Sequence, residues 1–269
     1  MNFPALGISA AEPVSGGCIH RCYRGERDGR AVFLKLNEAR FADAFGAEAD
    51  GLRALRAADC RAPEPIASGT AGASAYLLLE FLELRASGDF TALGTMLAAL
   101  HRSQGERCGW ARDNYIGSTP QQNGWGESWA AFWRERRLEP QLALAASNGY
   151  RIDVPPVWRL LEQHEPAPSL LHGDLWSGNA GFLPDGAPVL FDPAVYYGDR
   201  EADLAMTELF GGFPPAFYAA YNGAWPLAPG YNERKQLYNL YHLLNHLNLF
   251  GGGYLAQVRG VLRLLARGL

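Results

Sequence analysis

Lysine is almost missing from this chain: of 24 basic residues only Lys35 and Lys235 are lysines, and the rest are arginine. Codon bias is the ordinary cause, yet a lysine that survives it tends to sit where a broad planar guanidinium will not serve. Acidic and basic residues nearly balance at a formal charge of −4, and no block of like charges occurs, which argues against nucleic acid as a partner. Apolar runs long enough to cross a bilayer are lacking, as is a basic-then-apolar leader, so a cytoplasmic protein without membrane association is expected. Cys18, Cys22, Cys60 and Cys108 form neither a zinc pair nor a disulfide framework, so reduced thiols are expected. Internal repeats and low-complexity segments are absent too. What is present, 269 residues of which 48% are hydrophobic, suffices for one large globular domain or two lobes.

The chemistry concentrates between residues 170 and 193. Two apolar runs, Leu170-Leu171 and Pro188 to Phe191, read as short buried strands, each ending in an acidic residue: Asp174 after the first, Asp192 after the second. Asn179 lies between them, and Gly178, Gly181, Asp185 and Gly186 mark loops and a hairpin. A hairpin of these two strands that carries Asp, Asn and Asp at strand ends gathers hard oxygen ligands in one place, a set that suits Mg²⁺ completed by water and phosphate oxygens. Singly, either aspartate could be an ordinary turn former. As a set, His-Gly-Asp-x-x-x-x-Asn followed by a strand ending in Asp resembles the catalytic loop and metal-binding segment of protein-kinase-like phosphotransferases.

The flanking chain supplies candidate partners. Gly16-Gly17 lies between strand-like segments, where glycines let backbone N–H groups approach a phosphate chain, although such a pair is also a common hairpin turn. Lys35 follows in the strand 31–36. A helix is expected over Glu38 to Cys60, with 41, 45, 48, 52 and 55 on one face, so Glu48 interrupts an apolar stripe. An unpaired carboxylate there would be costly, and Lys35 is its natural cation. Strands at 65–68 and 75–82 lead to a linker, and a helix over 89–103 starts at Asp89 as N-cap. The irregular stretch 104–126, rich in aromatics and amides, suits either a polyol site or a self-packed connection. Trp129, Phe132 and Trp133 read as core of a helix over 125–149, and a further helix is expected near 155–164. A mere six residues separate Asp192 from Asp199, too few for a segment that docks a polypeptide; Asp199 and Asp203 read as caps or braces for the catalytic loop. Helices are expected over 214–221, 232–250 and 254–265. His242 and His246 are spaced for zinc but have no acidic or cysteine partner nearby, so packed or substrate-facing histidines are expected, with His246 as the candidate sugar contact.

With these pieces placed, the chain resembles the fructosamine kinase (ketosamine-3-kinase) family of the aminoglycoside-phosphotransferase branch. The residues that carry the likeness are Gly16-Gly17-Cys18-Ile19, Phe33-Leu34-Lys35, Asp113 to Gln121, His172 to Asn179 with Leu175-Trp176-Ser177, Asp192-Pro193-Ala194, Phe210 to Pro214, Ala219-Ala220-Tyr221 and Leu244-Asn245-His246. Trp176 and the Asp-Pro-Ala triplet separate it from choline and aminoglycoside kinases, which share His-Gly-Asp. The resemblance implies an α+β, two-lobed protein-kinase-like fold. Its N-lobe (1–82) would be a small antiparallel sheet with one main helix, and its C-lobe (83–269) larger and mainly helical. It implies ATP and Mg²⁺ as cofactors and a small ketosamine or glycated amine as substrate, with no obligate protein partner. Phosphorylation of the sugar 3-hydroxyl would lead to deglycation. By the same resemblance Asp174 orients the hydroxyl, Asn179 and Asp192 bind Mg²⁺, and Lys35, held by Glu48, binds ATP phosphates beside Gly16 and Gly17. Glu80, Phe81 and Leu82 would contact adenine and Trp176 would stack on the sugar-amine moiety. The competing readings are a kinase of another small alcohol or an aminoglycoside, and a catalytically inactive nucleotide-binding scaffold.

Overall fold

The computed structural model describes residues 1–14 and 19–267. Alternating burial builds its first part. Strands β1 (Ser9–Pro13), β2 (Arg21–Arg27), β3 (Arg30–Glu38), β4 (Pro65–Ala71) and β5 (Ser74–Glu80) form one antiparallel sheet in the order β1-β2-β3-β5-β4. Val32, Leu34 and Leu36 of β3 face a small cluster with Ile8, Tyr23 and Leu78. The alternate residues Phe33, Lys35 and Asn37 face the other way, as the two-residue period of a strand requires. Helix α1 (Ala42–Ala57) packs on that second face, entered through a short 3-10 turn over Ala39–Phe41. Its fully buried Phe45, Leu52 and Leu55 each contribute roughly 1.5–3 kcal/mol. A Cβ on Gly51 would stand 3.0 Å from Pro193, so α1 lies directly against the segment that follows Asp192.

The linker 81–88 hydrogen-bonds to the second part of the molecule through Arg85, whose N–H and carbonyl both pair with Phe182. Helix α2 (Phe90–His101) starts at Asp89, whose carboxylate accepts the Ala92 N–H at 2.9 Å. A Cβ on Gly94 would lie 2.3 Å from the Phe217 carbonyl, which fixes how closely α2 meets a later helix. The stretch 104–126 contains the hairpin β6 (Asn114–Ile116) and β7 (Thr119–Gln121). Helices α3 (Trp129–Trp133) and α4 (Glu139–Ser147) are joined by a π-helical turn over Arg134–Leu138. Trp129, Phe132 and Trp133 are core residues. The chain then makes β8 (Ser169–Leu171), β9 (Ala180–Phe182), β10 (Pro188–Leu190) and β11 (Tyr196–Gly198). It ends in α5 (Glu201–Leu209), α6 (Pro215–Ala224), α7 (Tyr231–Phe250) and α8 (Leu255–Leu265). α6 is the helix that meets α2, and α7 packs on α4, α5 and α8. The fold is α+β, two-lobed and kinase-like.

Three expectations shift. The two strands bearing the aspartates do not pair with each other: β9 pairs with β10, and β8 pairs with β11. The predicted helix near 155–164 shrinks to a 3-10 turn at Val157–Leu161, behind the pair Pro155-Pro156. The helix over 125–149 begins at 129, where Ser128 caps it by accepting the Ala131 N–H. Among the described residues no helix is long and apolar enough to cross a membrane.

Candidate active site

Two strand ends converge through a histidine. β8 hands over to His172-Gly173-Asp174, and β10 hands over to Phe191-Asp192. His172 is fully buried; its Nε2 meets the Phe191 carbonyl at 3.0 Å and its Nδ1 accepts the Asp174 N–H at 3.3 Å. An accepting Nδ1 requires the neutral Nε2–H form, and burial lowers the imidazole pKa in agreement. The His172 carbonyl accepts the Ala194 N–H at 2.9 Å, closing the same seam from the other side. Gly173, at φ +83°, leaves no room for a side chain, since its Cβ would lie 2.1 Å from the Ala194 carbonyl oxygen. Asp192 itself stands at φ +56°, a left-handed conformation uncommon outside glycine and often retained at functional positions.

Asp203, on the first turn of α5, holds this loop from below. Its carboxylate accepts the backbone N–H of His172 at 2.7 Å and of Gly173 at 2.8 Å, and lies 3.1 Å from His101 Nε2. His101 meets the Tyr221 hydroxyl at 2.8 Å, and Arg200 donates to the same hydroxyl at 3.0 Å. The tyrosine proton therefore goes to His101 Nδ1, leaving Nε2–H for Asp203. The brace read into Asp203 is thus present, whereas His101 carried no signal beyond a histidine at a helix end. Asp199 caps the start of α5, its Oδ1 accepting the Glu201 N–H at 3.0 Å, and its Oδ2 meets His164 at 2.7 Å and Tyr238 at 2.5 Å, while Arg234 grips the neighbouring Glu201 with two nitrogens. That cluster is internally satisfied.

The amide-rich stretch after α2 is structural. Asn114 donates to the Val195 carbonyl at 2.8 Å, and Gln121 donates to the Ala194 carbonyl at 3.1 Å while accepting from Tyr241. Both amides are buried, so the polyol-site alternative for these two side chains gives way to a clamp on the residues following Asp192. Arg112 and Tyr115 reach back to α1, through Asp43 and Asp50.

Above this loop lies Lys35, 4% exposed. Its Nζ is 2.7 Å from Glu48 and 2.5 Å from Asp192, whose side chain is 45% exposed. One ammonium between two carboxylates cannot fully compensate both. Burial alone would lower the Lys35 pKa, but the two anions hold it above its ordinary value. Burial pushes Glu48 up to about 7 against the pull of Lys35, with Asp192 adding to the rise. Asp192 is held low because Lys35 outweighs its desolvation. Asn179 donates its amide to the Asp174 carbonyl at 2.7 Å and to Asp174 Oδ2 at 3.3 Å. Its own carbonyl oxygen then remains for a ligand. Burial raises Asp174 to about 7, Asp192 and Asp203 adding to the shift and Asn179 opposing it.

Lys35, Glu48, Asp174, Asn179 and Asp192 are therefore one group. Trp176, 38% exposed, follows Asp174 by two residues and packs its indole against Gly178, whose Cβ would stand 2.3 Å from the ring. Glu80 ends β5, but Arg61 holds its carboxylate at 2.8 and 3.0 Å and Glu64 takes its N–H, so its carbonyl is what remains toward the linker. Phe81, half-buried, lies under the Arg24 guanidinium at 4.9 Å, and Leu82 is half-buried next to it. His246 is not joined to the group. Its Nδ1 pairs with the His242 carbonyl and its ring sits among Phe210, Tyr254 and Phe250 at 4.5–5.4 Å. Gly16, Gly17 and Cys18 lie outside the described residues.

A sheet lobe delivering a buried lysine to an aspartate at a strand tip, opposite a braced loop with a second aspartate, is the arrangement of the kinase-like phosphotransferases. Within that class the chain belongs to the fructosamine kinase family, whose model matches residues 3–267. It is 50% identical over 265 residues to a probable ketoamine kinase of Synechocystis, covering 95% of this chain and 90% of the relative. A crystal structure of a putative fructosamine-3-kinase from Haemophilus somnus superposes with a TM-score of 0.89 at 32% identity, covering 96% of this chain and 91% of that one. An aminoglycoside phosphotransferase mutant, in ternary complex with ADP and hygromycin B, shares the fold alone. Its TM-score is 0.62 at 15% identity, covering 97% of this chain and 94% of that one. The protein is an ATP-dependent phosphotransferase.

Proposed function

We propose that the protein phosphorylates the 3-hydroxyl of ketosamines such as fructosamine or ribulosamine, in the cytoplasm, and so promotes their deglycation. The observation that carries the reading is geometric: Lys35 joins Glu48 and Asp192 at 2.7 and 2.5 Å, in one group with Asp174, which the Asn179 amide holds and burial raises to about 7. Asp174 is matched to take a hydroxyl proton at physiological pH, since a base works best when its pKa lies near the operating pH. Asp192 and the Asn179 carbonyl are hard oxygen donors with open valences, the set that suits Mg²⁺. Mg²⁺, when bound, neutralises charge on the transferring phosphoryl group. Lys35, kept in place by Glu48, would hold ATP phosphates, a role the sequence pattern also assigns to Gly16 and Gly17, with adenine at the linker residues Glu80 to Leu82. Trp176 would stack on the sugar-amine moiety.

A polycationic acceptor such as an aminoglycoside is disfavoured. Asp113, the acidic residue available between 110 and 121, already accepts the Asn123 N–H at 2.8 Å. The names carried by relatives, probable ketoamine kinase and putative fructosamine-3-kinase, support the ketosamine acceptor. The test is phosphorus NMR of the reaction with Mg-ATP and fructosamine or ribulosamine. A sugar 3-phosphate ester forming with ADP is expected. Turnover of aminoglycosides or simple alcohols with none of ketosamines would overturn the acceptor, and nucleotide binding without transfer to any acceptor would make the protein a scaffold.

A further inference from the structure

His20 stands just before β2 and belongs to none of the roles above. Its ring is wedged against the start of α1, with centroids 4.8 Å from Phe45 and 5.6 Å from Phe41. Its Nδ1 lies 2.9 Å from Nδ2 of Asn37. Two further bonds fix the orientation of that amide: Nδ2 also donates to the Ile19 carbonyl at 3.1 Å, and Oδ1 accepts the Glu38 N–H at 2.8 Å. An amide NH₂ has no lone pair to offer, so Nδ1 of His20 must accept and the ring proton sits on Nε2. Among the described residues no group accepts that proton. Asn37 and Lys35 share a face of β3, so the ring sits on the side of the sheet that carries the ammonium. Lys35 and Asp192 are the charges that act on it. Burial and Lys35 push the imidazole down to about 4, against Asp192, so it is uncharged at neutral pH.

We propose that His20 is a nucleotide-binding residue whose Nε2–H donates to an oxygen of the terminal phosphates of ATP. The proposal rests on the nucleotide site assigned above. Lys35 already shares its charge between two carboxylates, and a neutral side-chain donor just before β2 adds recognition without another cation. Asn37, Phe41 and Phe45 act as positioning residues, fixing the tautomer and the ring plane.

The test is calorimetric binding of AMP-PNP and of AMP, with Mg²⁺ and without acceptor, to the wild type, His20→Phe and His20→Gln. Phe keeps the packing and removes the donor; Gln places an amide N–H near the position of Nε2. His20→Phe should weaken AMP-PNP about tenfold, the order of one hydrogen bond to a charged group, and leave AMP unchanged. His20→Gln should stay near wild type. If His20→Phe does not fold, His20→Asn, which keeps the bond to Asn37 but is too short to replace Nε2, carries the same expectation. Wild-type affinity in the donor-lacking variant, equal losses for Phe and Gln, or equal weakening of AMP-PNP and AMP would each overturn the proposal while leaving the nucleotide site intact. Absence of AMP-PNP binding by the wild type would overturn both.

Discussion

Asp174→Asn should make the protein inactive and more stable at once. A carboxylate that titrates at about 7 instead of its ordinary 3.8 is held ionised against the preference of its surroundings. Each pH unit is worth about 1.4 kcal/mol, which sets a ceiling of about 4 kcal/mol. Asp174 keeps partial contact with solvent, and local relaxation lowers the cost further, so about 1–2 kcal/mol is expected. The sign follows from linkage. Below pH 3.8 the group is neutral folded and unfolded, and nothing is lost. Between 3.8 and 7 the unfolded chain sheds a proton that the folded one retains, so wild-type stability falls, and the loss is complete above 7. The asparagine variant carries no such loss, so its advantage should be small at pH 4.5 and full at pH 8. At about 2–4 °C per kcal/mol for a chain of this size, melting in metal-free buffer should resolve it. Turnover should drop about 10²-fold or more, the usual contribution of a general base. An asparagine variant less stable than wild type at pH 8, or an advantage independent of pH, would refute the electrostatic argument; near-wild-type turnover would remove Asp174 from its role.

Lys35→Met should cost about 3 kcal/mol, because it strands the Glu48 carboxylate in a buried site. Adding Glu48→Gln should recover most of that stability in urea melts without recovering activity, and failure to recover would mean the pair is not what Lys35 stabilises. Gly173→Ala should abolish soluble active protein, since it combines a left-handed backbone with a Cβ 2.1 Å from the Ala194 oxygen; ordinary expression and turnover would refute the close approach. Asp203→Asn turns an NH₂ toward donors and should cost about 3 kcal/mol with a fall in kcat of tenfold or more, read by melting and steady-state kinetics. Trp176→Ala, at a position 38% exposed, should cost about 1–2 kcal/mol of stability for the lost packing and raise KM for the ketosamine about tenfold with KM for ATP unchanged.

What the sequence made legible and what it hid divide along a physical line. Glu48 was readable because helical periodicity puts a carboxylate into an apolar stripe, and a buried charge has to find a partner within reach. That Asp174, Asn179 and Asp192 come together was readable because strand ends, turn residues and oxygen-bearing side chains coincide over two dozen residues. Pairing was not: β8 to β10 are each three residues long, and such short apolar runs specify burial without specifying the neighbour. β8 lies against β11 where Asp203 and His172 also tie the chain, through bonds spanning 31 residues in one direction and 19 in the other, and contacts that distant leave no local mark in the sequence. For the same reason Asn114 and Gln121 left a polyol site and a self-packed connection equally open. An amide in a loop looks the same whether it faces a sugar or the carbonyls of Ala194 and Val195, and only the distant seam between His172 and Ala194 decides which. Asp174, Asn179 and Asp192 are therefore local in sequence, Lys35 and Glu48 reach them from β3 and α1, and the residues that aim the two aspartates come from α2, the β6–β7 hairpin and α5. Substitutions in this second set should act by displacing Asp174 and Asp192 and not by altering what either can bind.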